Sequence, residues 1–489
     1  MLDVEEGRKL SQAVCVTCHL YPEPDVLDKV TWAMSCLPSM GEWLGMTDEP
    51  ISERGLHPRV VEKGLFPSVP VLAPEQWRSI TAFYLDQAPS SLPKPPMQPS
   101  ILPQLHQFKI LVPGLPLENK TILVKIDESI PGVFAGEMDV NRLSLIDSQG
   151  RLRAKINTSS PPVSLSAGPK GIFATLMGSY DPSDDISGSI IELPTPESGN
   201  PEVKDLVKDL PRPVHSLVTD VDGDGQDDIV VAAYGNYLGE LAWYGRTSNG
   251  NWTKNLILEQ PGALKSASID LNGDGINDLV SLFAQGREAL YGHINDGKGQ
   301  FETRPLIEKH PAWGFSGFQK IDFDGDGEDD LLVTNGDNGD FGKTIPPFKP
   351  YHGIRLYLGE SGEFKEAFFL PQNGAYKALA ADFDGDGDMD IASISYFPDY
   401  RARPFESFIY YENQAGATFP KAADFKAHSF EDSLSGRWCV MDAGDIDKDG
   451  DLDLVLGSNI HGPTHVPSAL KAAWGEQGNA VLILLNQSP

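Results

Sequence analysis

The chain has 489 residues, 70 acidic against 39 basic side chains, and a formal charge of -31. That length exceeds one ordinary compact core, so two folded units, or one unit with a large repeat array, are expected. The charge excludes nucleic acid, whose phosphates call for clustered Lys and Arg, and no apolar run reaches the roughly 18 to 20 residues that cross a bilayer.

Hydrophobic residues make up 40% of the chain, and 48 Gly and 39 Pro suit many short strands and turns better than long helices. Met1 to Leu10 are polar with a helical pattern and do not read as a signal peptide. The four cysteines, Cys15, Cys18, Cys36 and Cys439, form no disulfide framework.

A helical stretch, Val4 to Val14, leads into Cys15-Val16-Thr17-Cys18-His19. This is the Cys-x-x-Cys-His pattern of covalent haem attachment, in which two thiols capture the vinyl groups and the adjacent His binds iron. A zinc half-site or a redox pair does not require His directly after the second Cys, and no second Cys-x-x-Cys exists. Pro74 to Asp86 reads as an amphipathic helix with Trp77, Ile80, Phe83 and Tyr84 inward. Together these features resemble small c-type cytochromes. The resemblance implies one haem c and a sixth ligand, usually a Met thioether. Met40, between Pro38 and Gly41 in an expected irregular loop, is the candidate; Met34 reads as helical core beside Trp32, and Met46 and His57 are rivals. Cys36 reads as buried and inert.

The Pro-rich stretch Ser90 to Pro103 reads as an extended spacer, so the expected units are a cytochrome-like domain at 1–92, a linker at 93–104 and a repeat array at 105–489. Five segments then follow D-x-[DN]-x-D-G-x-x-D, with starts 50, 52, 60 and 63 residues apart. Their candidate ligand positions 1, 3, 5, 7 and 9 are Asp220, Asp222, Asp224, Gln226 and Asp228 in the first, and Asp270, Asn272, Asp274, Ile276 and Asp278 in the second. The third offers Asp322, Asp324, Asp326, Glu328 and Asp330. The fourth offers Asp382, Asp384, Asp386, Asp388 and Asp390, and the fifth Asp445, Asp447, Asp449, Asp451 and Asp453. A tight loop with oxygens at 1, 3 and 5, a carbonyl at 7 and a carboxylate at 9 suits a hard cation, and calcium fits its size and flexibility. An EF-hand would need Glu at position 12, where Val231, Ser281, Val333, Ser393 and Leu456 stand. Each ninth Asp instead opens a strand, as in Asp228-Ile229-Val230-Val231.

The strand-turn-strand rhythm after each loop recurs twice earlier without the aspartates, at Gly132 to Ile146 and Gly171 to Leu193. Five metal repeats and two degenerate ones make seven, and the period suits a mainly β fold, a seven-bladed β-propeller, whose closure hides strand edges. The last repeat ends at its third strand, Ala480 to Asn486, so His106 to Val112 is expected to complete that blade. The repeats resemble the FG-GAP or VCBS repeats of integrin α-subunit propellers and bacterial secreted proteins, and the whole chain resembles bacterial extracytoplasmic cytochrome c and FG-GAP fusions. The resemblance implies a calcium-bound seven-bladed propeller preceded by a small all-α cytochrome c domain, in the periplasm or secreted. Asn272 for Asp, Lys448 for Gly and the two degenerate repeats depart from the pattern, so five calcium ions are expected.

Loop calcium of this kind is expected to be structural. The longest insertions, Asp337 to His352, Tyr396 to Phe405 and His461 to Trp474, share one expected face. Lys343, Tyr351, His352, Tyr400, Arg401, Arg403, His461, His465 and Trp474 are the candidates there for a carbohydrate or anionic ligand. His215, Lys265 and Lys377, each five residues before a first ligand Asp, predict a ring of positive charge near one channel mouth. Three functions follow: an extracytoplasmic electron-transfer protein with a redox partner, a glycan- or protein-binding module with an accessory haem, or a sugar oxidoreductase or lyase. No Ser-His-Asp or paired-carboxylate signature stands out to name an enzyme.

Overall fold

The computed structural model describes the chain apart from residues 1–2, 48–52, 96–97, 115–118, 128–129, 169–170, 194–202, 248, 340–345, 417, 464–465 and 489. Lys343 and His465 lie outside the described residues.

The first helix, Val4–Val14, is capped by Asp3, whose carboxylate accepts the Glu6 N–H at 3.0 Å. It packs tightly on the helix Pro74–Gln87, since a Cβ at Gly7 would collide with the Ser79 carbonyl. Leu27, Trp32, Leu37, Ile80, Phe83 and Tyr84 form the core beneath them, with the Trp32 and Tyr84 rings 4.4 Å apart. Asp28 caps the short turn Lys29–Thr31, which runs through a π-turn, Trp32–Cys36, into the helix Leu37–Trp43. Two local expectations change here. Met34 is 61% exposed because the π-turn rotates it away from Trp32, and Met40 lies inside a helix because Pro38 sits in that helix's first turn, where its missing N–H costs nothing.

From Phe108 onward the chain builds seven four-stranded antiparallel sheets, a seven-bladed β-propeller. Their innermost strands are, in order, Thr121–Asp127, Pro162–Gly168, Pro213–Thr219, Ala263–Ile269, Phe315–Ile321, Ala375–Ala381 and Trp438–Gly444. Second strands such as Asp228–Ala233 and Asp390–Ser395 are buried at every position, being covered on both faces by neighbouring blades. Outer strands such as Leu152–Asn157 are largely open to solvent. In all seven blades the register slips by one residue near the start of the innermost strand, for example between Pro213 and His215 and between Ala375 and Lys377.

The last blade closes as its missing strand predicts. Phe108–Leu111 pairs antiparallel with Val481–Asn486, joining Phe108 to Asn486 and Leu111 to Ile483. Phe108 packs against Phe383 and Tyr410 of blade six.

Strand direction puts the acidic first-to-second-strand loops on one face and the second-to-third-strand insertions on the other. The helices dock on the insertion face. Trp43 and Phe66 stack at 4.6 Å and meet Tyr237 of blade three. Arg59 donates to the Asp184 carbonyl of blade two, Arg287 of blade four to the Cys18 carbonyl at 2.8 Å, and Tyr351 of blade five to the Val26 carbonyl at 3.0 Å. The Pro-rich stretch is docked as well. Arg403 donates to the Pro99 carbonyl, and Leu102 pairs with His428 beside the outer strand of blade six.

Candidate functional site

The five acidic loops share one hydrogen-bond plan. The first Asp accepts the backbone N–H groups three and five residues on, as Asp220 does from Gly223 and Gly225, both at 2.9 Å. Asp270, Asp322, Asp382 and Asp445 repeat the pair. The ninth Asp is buried and accepts the N–H of the second loop residue, at 2.8 Å from Phe323 to Asp330 and from Ile446 to Asp453. Its other oxygen holds the end of the third strand in four blades, accepting from Asn295, Gly359, Asn413 and Asn486.

These turns bring carboxylate oxygens within 4.8 Å of one another in four loops: Asp220, Asp222 and Asp228; Asp322, Asp324 and Asp330; Asp382, Asp384 and Asp386; Asp445, Asp447 and Asp453. In blade six Asp390 also takes a 2.6 Å hydrogen bond from the Tyr410 hydroxyl. In blade four Asn272 stands in place of the second carboxylate, and its amide donates to Asp274 at 2.9 Å. Burial, then the neighbouring carboxylates, pushes Asp228 and Asp453 up to about 6 and Asp390 up to about 7. Such crowding of like charge is what a divalent cation offsets.

Two contributions were not visible in the repeat pattern. The seventh-position carboxylates of Asp388 and Asp451 turn inward: both Asp388 oxygens and Asp451 Oδ1 are buried without a well-formed hydrogen bond. The repeat pattern assigns that position a backbone carbonyl in all five loops, and the closely grouped carboxylates of the described residues do not include these two. Asn295, Asn413 and Asn486 also grip the loops with their side chains, donating to the carbonyls of Asn277, Met389 and Leu452. Their signal in the chain is a third strand ending in Asn. Blades one and two lack the acidic motif, and their first and second strands meet at the pairs Asp127 with Ile130 and Gly168 with Gly171.

On the helical segment, Cys15 and Cys18 lie in and just after a 3-10 turn that ends the first helix. Cys15 is half-buried, Cys18 exposed, and burial pushes the Cys15 thiol up and the His19 imidazole down. His19 Nδ1 lies 2.9 Å from the Leu20 carbonyl oxygen. A carbonyl only accepts, so Nδ1 carries the proton and Nε2 keeps its lone pair. His57 is engaged elsewhere: Nδ1 accepts from Arg59 N–H and Nε2 lies 3.1 Å from Asp185. Met46 packs into the helical core, and Met40 is half-buried. Of sixteen exposed large apolar side chains among the described residues, eight lie in this helical part: Val16, Leu20, Val30, Met34, Trp43, Val61, Val69 and Val71. The donor types of Cys15, Cys18 and His19 are those that hold a covalent haem.

The insertion residues are mostly spent on structure. Tyr351 is half-buried and donates to Val26 of the helical segment, His352 is buried, Arg403 pairs with Glu406 and holds the linker, and Trp474 donates to the Leu434 carbonyl. Tyr400 lies against Trp474. Arg401 and His461 stay exposed, and His461 stands beside Tyr180 at the edge of an open cavity of about 310 Å³ lined also by Met138, Ser160 and Asp181.

Comparison with known proteins agrees with the ring. Residues 214–251 match the FG-GAP repeat, and residues 270–333 and 322–393 match the FG-GAP-like repeat. The chain is thus a seven-bladed β-propeller containing FG-GAP repeats. No curated protein matches it in sequence. Similar solved structures include a streptogramin B lyase at 14% identity, covering 78% of this chain and 98% of that one with a TM-score of 0.46. Another is Saccharomyces cerevisiae Sqt1, at 10% identity, 80% and 100% coverage and a TM-score of 0.43.

Proposed function

We propose that the chain is an extracytoplasmic electron-transfer protein in which residues 1–92 carry one covalent haem c and the propeller at 105–489, joined through 93–104, binds a partner or substrate. The observation that carries this reading is the Cys15, Cys18, His19 set, with the proton of His19 held on Nδ1 by Leu20 so that Nε2 can bind iron. Bound haem would supply a one-electron couple. Cys15 and Cys18 would hold it covalently, and His19 and Met40 would be its iron ligands. Arg287, bonded to the Cys18 carbonyl, would seat the haem-bearing turn against blade four. Calcium in the loops of blades three to seven is assigned a structural role, holding first and second strands together. Location in the periplasm or outside the cell follows from the resemblance to extracytoplasmic fusions.

The test is expression with a c-type haem maturation system, followed by a pyridine haemochrome spectrum. One covalent haem per chain is expected, absent from Cys15→Ser/Cys18→Ser, with an altered axial-ligand band in Met40→Ala. A correctly folded protein without covalent haem overturns the reading. The cavity at Tyr180, Asp181 and His461 favours a second reading, a glycan-binding module, which gains if glycans bind while no reductant or substrate changes the haem spectrum.

A further inference from the structure

The seven register slips place one residue of each innermost strand at the same height in the ring. These are Leu123, Ser164, His215, Lys265, Gly317, Lys377 and Val440. His215, Lys265 and Lys377 are each half-buried and within electrostatic reach of one another although they belong to blades three, four and six, as expected of side chains facing a central channel. Two residues further along the strands, Lys125 of blade one and Asp442 of blade seven form an ion pair at 2.9 Å. The same Asp442 oxygen also accepts the Ile126 N–H, and the carboxylate's charge reaches Lys265 and Lys377 as well.

The channel is therefore lined by three lysines and one histidine against one carboxylate, inside a chain of charge -31. Of the other charged side chains described on the innermost strands, Lys320 pairs with Asp329 and Asp127 accepts the Ile130 N–H. Lys265 donates only to the Phe318 carbonyl, at 2.9 Å. Lys377 makes no hydrogen bond or ion pair among the described residues, and His215 Nδ1 is buried and unpartnered. The single carboxylate of Asp442 attracts Lys265, Lys377 and Lys125 together, and such an excess of positive charge in a confined channel is costly unless something of opposite sign joins it.

We propose that the central channel binds a small oxyanion, tetrahedral or carboxylate, held by Lys265 and Lys377 with His215 as a neutral donor and Lys125 nearby. This rests on the propeller alone and stands whether or not Cys15 and Cys18 carry haem. Burial, then Lys377, lowers Lys265 to about 7, and burial, then Lys265 and Lys377, lowers His215 to about 3. At neutral pH the histidine is thus uncharged, and Lys265 sits near half-protonation until an anion draws its proton in. Affinity should fall as pH rises through 7.

The experiment is calorimetric titration of the calcium-loaded full chain with sulfate and, separately, succinate, at pH 6.5 and constant ionic strength. One saturable site for at least one of them is expected, the preferred probe telling tetrahedral from carboxylate ligands. Binding should weaken at least tenfold in Lys265→Met and in Lys377→Met, and persist in Lys320→Met and Lys377→Arg. Both methionine variants should melt no lower than wild type without the probe, because each removes a repulsive charge. The proposal is overturned if wild type gives no saturable heat with either anion, if both methionine variants bind as wild type does, or if either melts well below wild type in anion-free buffer.

Discussion

Lys448 adopts a left-handed backbone, φ 66°, at the loop position where four other blades carry Gly223, Gly273, Gly325 and Gly385 at φ 72–77°. A side chain there costs about 1 kcal/mol relative to Gly. It also replaces an uncharged residue with a cationic one inside the acidic loop, which works against binding of a cation there. Lys448→Gly should therefore raise both the calcium-loaded melting temperature, by a few degrees, and the apparent calcium affinity, measured by thermal unfolding across a calcium titration. No change in either would show that the loop does not bind calcium in the assigned way. At this scale the acidic loops were legible because their ligands lie within nine residues of one another. The side chains of Asp388 and Asp451 were not, because the repeat pattern does not say whether a seventh-position side chain turns inward. Met34 misled for a similar reason: a π-turn adds one residue to the helix and swings every side chain after it.

Within blade four a hydrogen-bond chain crosses three strands. His293 Nε2 lies 2.6 Å from the Ser281 hydroxyl and Nδ1 lies 2.8 Å from that of Thr303. The ring is fully buried, and burial lowers its pKa from 6.5 to about 3. Folded protein keeps His293 neutral while the unfolded chain takes up a proton below 6.5, so its contribution is complete above 6.5 and is lost as pH falls toward 3. The unfolding free energy should drop by about 1.4 kcal/mol per pH unit over that window on account of this group. Urea titrations at several pH values should find a correspondingly shallower acid limb in His293→Gln; an unchanged slope would count against a buried neutral histidine. Strand order and loop placement were readable from periodicity, whereas this chain was not, since three residues far apart in sequence meet only across the sheet. The same holds for the Pro-rich stretch. Its composition suggested a free spacer, but Arg403 and the outer strand of blade six supply partners that composition does not reveal.

The whole ring depends on four residues, Phe108–Leu111, that complete the seventh sheet. Phe108 is 5% exposed and wedged against blade six, so Phe108→Ala should cost about 3 to 5 kcal/mol. Denaturant unfolding should report that loss for the entire propeller in one transition. A small loss confined to a separate early phase would mean that the ring holds without its clasp.

That clasp also orders events in time. Gln107 and Asn486, hydrogen-bonded side by side, are 379 residues apart in the chain. Contacts of such separation form late, because a long loop must first be closed. As the chain emerges from its N-terminus, blades one to six can pair strand by strand while the first 111 residues wait, and the circle is sealed only when the last strand arrives. Before blades two to five have formed, Cys15 and Cys18 ride on a tethered helical segment whose docking loops are not yet in place. Any enzyme that must reach those thiols has its widest access during that interval.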